Sequence, residues 1–461
     1  GSQMDSSVSI IAVVLGAIAL LLFLILKLKI HEVLALLIVS VAAGLAFGMS
    51  PAFVFETIEK GMGSTLGFLA VVIAIGSMFG EVMKISGGVQ NLADTLYRKV
   101  GERNIIWALG FIGILVAIPI YIEVCFIMFA PIIYRFAKTG KRSLLYYAVP
   151  FLAGVVISYS TIPPAAGAMT GVVGLNADVG MVILFSMLAA IPAMLIGGVL
   201  YGGFLGKKIY IEVPRHMDPE LKEEEKEEEE IRKHLKKPGF IPVLLTFVLP
   251  LLLMVGRAGC DFLLPEENSV RKLMTLIGHP FGALMIVCIL AIYFFGIRGG
   301  FTADDLRSVA DKALYPAGMI ALVAGAGGAF GEILVESGVG DVIARYAQHI
   351  GLPVLALAYI TAAFIRVAQG SGTVAIVTTS VLMAPVVDAM GTAVSPAMRS
   401  LMVTIIGFGA IMASHLNDSS YWITAKYFNM DEVTNLKVWT ATTSIISLSG
   451  FAVCMVISLF M

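Results

Sequence analysis

Charge is what this sequence has least of. Only 14% of its 461 residues are Asp, Glu, Lys or Arg, against roughly a quarter in an ordinary soluble domain. The 31 basic and 32 acidic residues nearly cancel, so the chain carries no excess of positive charge for nucleic acid. Cysteine is scarce too. Cys125, Cys260, Cys288 and Cys454 show no CxxC spacing and three fall in apolar stretches, which points to packing rather than disulfides or metal ligation. The six histidines are scattered without metal-ligand spacing, and no HExxH, GxSxG or P-loop occurs. Enzyme chemistry has no foothold here, and no resident cofactor or metal is expected.

What fills the sequence instead is apolar surface, at 58% hydrophobic residues. Runs long enough to cross a bilayer, for which about 20 residues suffice, recur along the chain. They include Val8–Leu28, Val33–Phe47, Leu66–Met83, Val179–Leu205, Phe240–Val255, Ala283–Ile297 and Val438–Met461. The reading is an all-α polytopic protein of a cell inner (plasma) membrane, with the lipid bilayer as its main surroundings. Gly1–Gln3 ahead of Met4 reads as a cloning remnant. The first apolar run lacks a basic flank and a small-residue cleavage site, so it is expected to be a retained helix.

One stretch breaks the apolar pattern. Residues 206–239 contain "LKEEEKEEEEIRKHLKK", a charged linker expected to be a solvated helix. It divides a first membrane unit, 4–205, from a second, 240–461. These halves repeat one another. Gly67–Gly88 aligns without gaps on Gly318–Val339 at a shift of 251, with nine of 22 positions identical, among them Phe79-Gly80-Glu81 and Phe330-Gly331-Glu332. Ala130-Pro131 answers further on to Ala384-Pro385, and Ser158 to Ser414. A duplicated membrane domain is the usual build of secondary transporters.

Within the first half, Asn104–Tyr134 is uncharged except for Glu123. As one helix it would run roughly 46 Å, well beyond a hydrocarbon core of about 30 Å. Pro119 interrupts it near the centre, and basic residues flank both ends: Arg98, Lys99 and Arg103 before, Arg135, Lys138, Lys141 and Arg142 after. The positive-inside rule then puts both ends in the cytoplasm. The expectation is a re-entrant hairpin with Glu123 near its tip. Its counterpart is Leu352–Asp388, where "RVAQGSGT", Arg366–Thr373, suits a non-helical tip. Each half also holds a second break, at "SYSTIPPAAGA", Ser158–Ala168, and at "SHLNDSSYW", Ser414–Trp422. With each hairpin counted as no crossing, each half crosses five times and the repeats are inverted, with both termini outside.

The segments "IPIYIEVCFIMFAP", "TIPPAAGA", "IRVAQGSGTVAIVTT" and "ASHLNDSSYW" resemble, in order and spacing, the signatures of the gluconate permease (GntP) family of the ion-transporter superfamily. The resemblance covers the chain from Val8 onward. It implies a symporter of small organic anions such as sugar acids, driven by protons. It also implies a homodimer with an elevator motion, in which hairpins and broken helices move against a scaffold. Two departures from the family pattern stand out: Glu123 stands where an aspartate is typical, and Pro163-Pro164-Ala165-Ala166-Gly167-Ala168 replaces Pro-Pro-His-Pro-Gly-Pro.

Candidate site residues follow from these motifs. Glu123 reads as a coupling-ion residue, either a protonatable acid or an oxygen ligand for Na+, with a structural ion pair as the alternative. Asp418 and Asn417 read as polar lining, Asp418 with an ion-coupling role; either can instead cap the next helix. His415 is a substitute for the absent loop histidine. Arg366 matches a substrate carboxylate bidentately, or anchors the hairpin on carbonyls, or pairs with Glu123. Ser160, Thr161, Ser371, Thr373 and Ser419 offer hydroxyls, although Ser and Thr often bond back to their own helix. Tyr121, Pro163 and Gln369 complete the expected lining. Glu81 and Glu332 are expected at an interface or headgroup level. A passive anion channel is the rival reading, since hairpin tips also build selectivity filters.

Overall fold

The computed structural model describes residues 2–118, 122–214, 230–231, 233–339, 342, 353–369, 371–415 and 418–461. All regular structure among them is helical. In the first half the helices are α1 (Ser2–Leu22), α2 (Glu32–Ala46), α3 (Pro51–Ile85), α4 (Gly88–Val100), α5 (Ile105–Val116) and α6 (Ile122–Gly140). They continue with α7 (Leu144–Thr161), α8 (Ala166–Leu175), α9 (Val179–Met194) and α10 (Tyr201–Lys208). The second half contributes α11 (Phe240–Leu263), α12 (Ser269–Ile277), α13 (Pro280–Ala291), α14 (Ala303–Glu336) and α15 (Val354–Gln369). It ends with α16 (Gly372–Met390), α17 (Pro396–Gly409), α18 (Ser419–Tyr427) and α19 (Ala441–Ser458).

Local chemistry sets many of these boundaries. Ser50 caps α3 and is followed by Pro51, whose fixed φ suits a first helical position. Asp178 accepts the Met181 N–H at 2.8 Å to start α9. Thr302 and Asp305 form a reciprocal capping box at the head of α14.

Eight helical segments among the described residues are long and apolar enough to cross a membrane. The protein is a multi-pass membrane protein. Length alone does not separate a crossing from a hairpin arm, because α16 qualifies while α5, at roughly 18 Å, does not.

The two segments that repeat at a shift of 251 lie on α3 and α14, which pack side by side. They run antiparallel. Lys60 early in α3 pairs with Glu332 late in α14 at 2.6 Å, and Leu66 further along packs over Gly325. Glu81 lies in the last turns of α3 with Lys84 at 3.6 Å.

Two networks define opposite faces. At one, Glu102 ahead of α5 lies 3.8 Å from Arg142 behind α6, Asp94 of α4 pairs with Arg135, and Tyr97 stacks on Phe136. The start of α5 and the end of α6 are therefore neighbours. Ser143 donates to the Ile209 carbonyl at 2.7 Å, Asn429 beyond α18 donates to the Glu212 carbonyl at 3.3 Å, and the Lys236 N–H donates to the Gly299 carbonyl at 3.0 Å. Both described ends of the charged linker dock on this face. Its charged core, 215–229, lies outside the described residues, and α10 continues to Lys208, two residues past the expected start of the linker. At the other face Arg399, at the head of α17, donates to the Leu175 carbonyl at the end of α8 at 2.9 Å and pairs with Asp388 at 2.7 Å.

Close helix approach is set by glycine at one crossing in particular. A Cβ on Gly113 of α5 would meet the Phe151 carbonyl at 2.3 Å, and one on Gly154 of α7 would meet the Gly110 carbonyl at 2.1 Å. Backbone sits on backbone there, as small residues permit between membrane helices. Gly154→Ala is expected to lower stability by roughly 1–3 kcal/mol through overpacking. Thermal unfolding in detergent checks this, with Gly203→Ala, where a Cβ meets nothing within 4 Å, as the neutral control.

Candidate functional site

Four interruptions carry the site. The first lies between α5 and α6, where residues 119–121 are outside the described set, Tyr121 among them. Glu123 occupies the first turn of α6, and its side chain also lies outside what is described. The second interruption, Ile162–Ala165, contains Pro163 and Pro164, all buried, and separates α7 from α8. Proline denies the helix a donor at two successive positions, so α7 stops at Thr161.

The third interruption is shorter than the expected non-helical tip. Arg366 and Gln369 belong to the last turn of α15, and α16 restarts at Gly372, leaving only 370 and 371 between the helices. The reason is the cap. Ser371 accepts the Val374 N–H at 3.3 Å and restarts the helix at once. The fourth interruption starts earlier than the motif suggested, since α17 ends at Gly409 and α18 begins at Ser419. Asn417 is outside the described residues, as are the side chains of Gln369 and Ser419.

Long-range contacts bring the third interruption against the second and the fourth. Tyr159, in the last turn of α7, has its hydroxyl 3.3 Å from Thr373 Oγ1 at the head of α16. His415 Nε2 donates to the Val367 carbonyl of α15 at 2.7 Å. Arg366 Nη2 donates to Asp418 Oδ2 at 2.5 Å, with both side chains buried. Two further helices pack against distant parts of the chain: α6 lies against α18, where Tyr134 bonds the Tyr427 carbonyl, and α16 lies against α8.

Asp418 is the most heavily bonded group of this set. Besides Arg366 it accepts from Ser414 Oγ, Ser420 Oγ and, at 3.0 Å, the Ser420 N–H. It therefore caps α18 and pairs with the arginine at the same time. Ser414 is itself fixed by Trp439, whose Nε1 donates to Ser414 Oγ at 3.0 Å, and its N–H donates to Thr443 at 3.0 Å. Of the options open for Arg366, the described partner is Asp418, 52 residues away.

The hydroxyls divide by role. Thr161 Oγ1 bonds back to the Ile157 carbonyl at 2.7 Å, the local use that Ser and Thr often find in helices. Ser160 is buried beside it, and its carbonyl faces Gly407 of α17. Ser186 of α9 donates to the Thr161 carbonyl and lies 2.9 Å from Thr404 of α17. In the second half Ser447 of α19 donates to the Phe408 carbonyl at 2.6 Å. Each broken helix thus has a last-turn carbonyl met by a serine of a following long helix. Tyr159, Ser186, Trp439 and Ser447 were not singled out from the motifs. Tyr159 stands inside "SYSTIPPAAGA", Ser186 is a lone hydroxyl in an apolar run, and Ser447 is one of several hydroxyls between Thr440 and Ser449 with no motif to mark it.

The GntP family permease model matches residues 8–460. The chain belongs to the GntP permease family. Among curated GntP-like relatives, the low-affinity gluconate transporter of Escherichia coli is 34% identical over 98% of both chains. The gluconate permease of Pseudomonas aeruginosa is 34% identical over 95% of both. The L-idonate transporter of the Gnt-II system of E. coli is 31% identical over 95% of this chain and 96% of its own. These are permeases and transporters, and the GntP chain described here is a membrane transporter rather than an enzyme. A solved structure, the YdaH transporter of Alcanivorax borkumensis, shares the fold with a TM-score of 0.61 over 89% of each chain at 14% identity.

Ser186→Ala withdraws the serine donor from the buried Thr161 carbonyl. The expected cost is roughly 1–3 kcal/mol, the range for a buried acceptor losing its donor. It is measured as a drop in unfolding temperature of the purified transporter, and an unchanged temperature would show that the carbonyl finds another donor.

Proposed function

We propose that this GntP permease is a secondary active transporter of a small organic anion of the sugar-acid class, coupled to protons. The observation that carries the reading is the meeting of one hairpin tip with both helix breaks around a buried arginine. Arg366 gives the geometry suited to a planar carboxylate. Helices α16 and α18 begin in the same region, and their N-termini add partial positive charge. Tyr159, Thr373 and Ser160 supply the polar atoms that a hydroxylated acid uses. Relatives named for gluconate and L-idonate support the substrate class.

The wider architecture we propose is two inverted repeats of five crossings, each with a re-entrant hairpin and a broken helix. Three features support inversion: the antiparallel course of α3 and α14, the crosswise packing of α6 on α18 and α16 on α8, and the opposite directions of the broken helices. The latter follow from the Arg399 contact at the end of α8 and the Asn429 contact beyond α18. The neighbouring ends of α5 and α6, both flanked by basic residues, support a hairpin that opens to the cytoplasm of an inner-membrane protein. Alternating access is then an elevator displacement of hairpins and broken helices in a homodimer.

Coupling is assigned to Glu123, the lone acid of its apolar stretch. An ion drives transport only if its occupancy differs between states of the cycle. In proteoliposomes, a panel of gluconate, glycerate, lactate and D-serine is expected to show concentrative gluconate uptake under an imposed proton gradient. Glu123→Gln is expected to abolish uphill uptake while leaving gradient-free exchange. Concentrative uptake by this variant would remove Glu123 from the mechanism, and accumulation that requires Na+ would replace the proton.

A further inference from the structure

We infer that Asp418 is an internal stand-in for the substrate carboxylate, and that the anion binds by taking Arg366 from Asp418. The inference rests on the anion-transport reading above and deepens it by specifying how the site is held before substrate arrives.

The geometry is that of an occupied carboxylate site. Arg366 at the end of α15 donates to Asp418 Oδ2 at 2.5 Å, and both side chains are less than one-tenth exposed. Burying two charges is costly and is seldom the most stable filling of a core. Here the pair joins the two elements that the proposed site requires, the hairpin end and the second helix break. An incoming carboxylate and Asp418 present the same chemistry to the same guanidinium.

Exchange at Arg366 needs Asp418 to remain satisfied when the arginine leaves, and the structure provides for this. Three neutral donors hold Asp418 independently of Arg366: Ser414 Oγ, Ser420 Oγ and the Ser420 N–H. The N-terminus of α18 adds its partial positive charge. Ser414 is pinned in turn by Trp439 Nε1 at 3.0 Å. Release of the arginine also leaves the hairpin docked, because His415 Nε2 still donates to the Val367 carbonyl at 2.7 Å. Asp418 thus keeps its donors when Arg366 turns to an incoming carboxylate.

Removal of the internal competitor should strengthen binding, the reverse of what loss of a substrate ligand does. Asp418→Asn keeps a good helix cap and is expected to tighten equilibrium gluconate binding roughly tenfold or more, the scale of one charge-assisted hydrogen bond. Ser420→Ala takes one neutral donor from Asp418, leaves it leaning harder on Arg366, and is expected to weaken binding roughly three- to tenfold. Arg366→Gln is expected to abolish it. The assay is equilibrium binding of radiolabelled gluconate to purified protein, with unfolding temperature measured alongside.

If wild-type protein binds gluconate and a folded Asp418→Asn binds it equally or more weakly, the exchange idea is overturned. Should Asp418→Asn not fold, the direction of the Ser420→Ala effect decides, and unchanged or tighter binding there overturns it. Gluconate binding that survives Arg366→Gln overturns it as well. Absence of gluconate binding by the wild type, together with no uptake of any acid in the proteoliposome panel, would instead overturn the anion-transport reading and the inference with it.

Discussion

A bilayer offers no hydrogen-bond partners, so every carbonyl and amide freed where a helix stops at membrane depth must be met from within the protein. This constraint organises the molecule. At the interruptions next to α7 and α17, last-turn carbonyls inside a buried core are met by serines from α9 and α19, the Phe408 carbonyl also accepting the Ile411 N–H. Those serines pay off only because α9 and α19 pack against the broken helices and against each other. Packing of the long helices and breaking of the short ones are therefore one arrangement.

The same constraint explains the treatment of charge. The chain keeps few ionisable groups in its apolar segments, and the acid whose side chain is described at the breaks, Asp418, accepts from four donors. Its partner Arg366 comes from the last turn of α15, just ahead of the α15–α16 interruption. A buried pair of this kind is weak as a stabiliser but demanding about geometry. It fixes the register between the end of α15 and the break ahead of α18. Chemistry and position thus reinforce each other at one point.

Hydroxyls at this depth serve two ends. Thr161 bonds back into its own helix and so contributes shape rather than recognition. Tyr159 and Thr373 instead meet 214 positions apart, joining the end of α7 to the head of α16. Similar residue types in neighbouring positions of one motif therefore do different work, according to which helix face they occupy and what lies opposite.

The sequence by itself determined the solvent, the recurrence of one short segment at a shift of 251 and the existence of the interruptions. Each of these is written locally, in hydrophobic run length, in a shared Phe-Gly-Glu pattern, and in Pro163-Pro164 or a glycine before a serine cap. It also placed Arg366 and Asp418 among the candidates, because an ionisable residue in an apolar stretch stands out. Tertiary structure alone decided that these two pair with one another, that α15 runs on through Gln369, and that Ser186, Ser447 and Trp439 hold the breaks in place. Such contacts depend on which helix faces meet after folding. A single serine in an apolar helix carries no mark of the carbonyl it will reach.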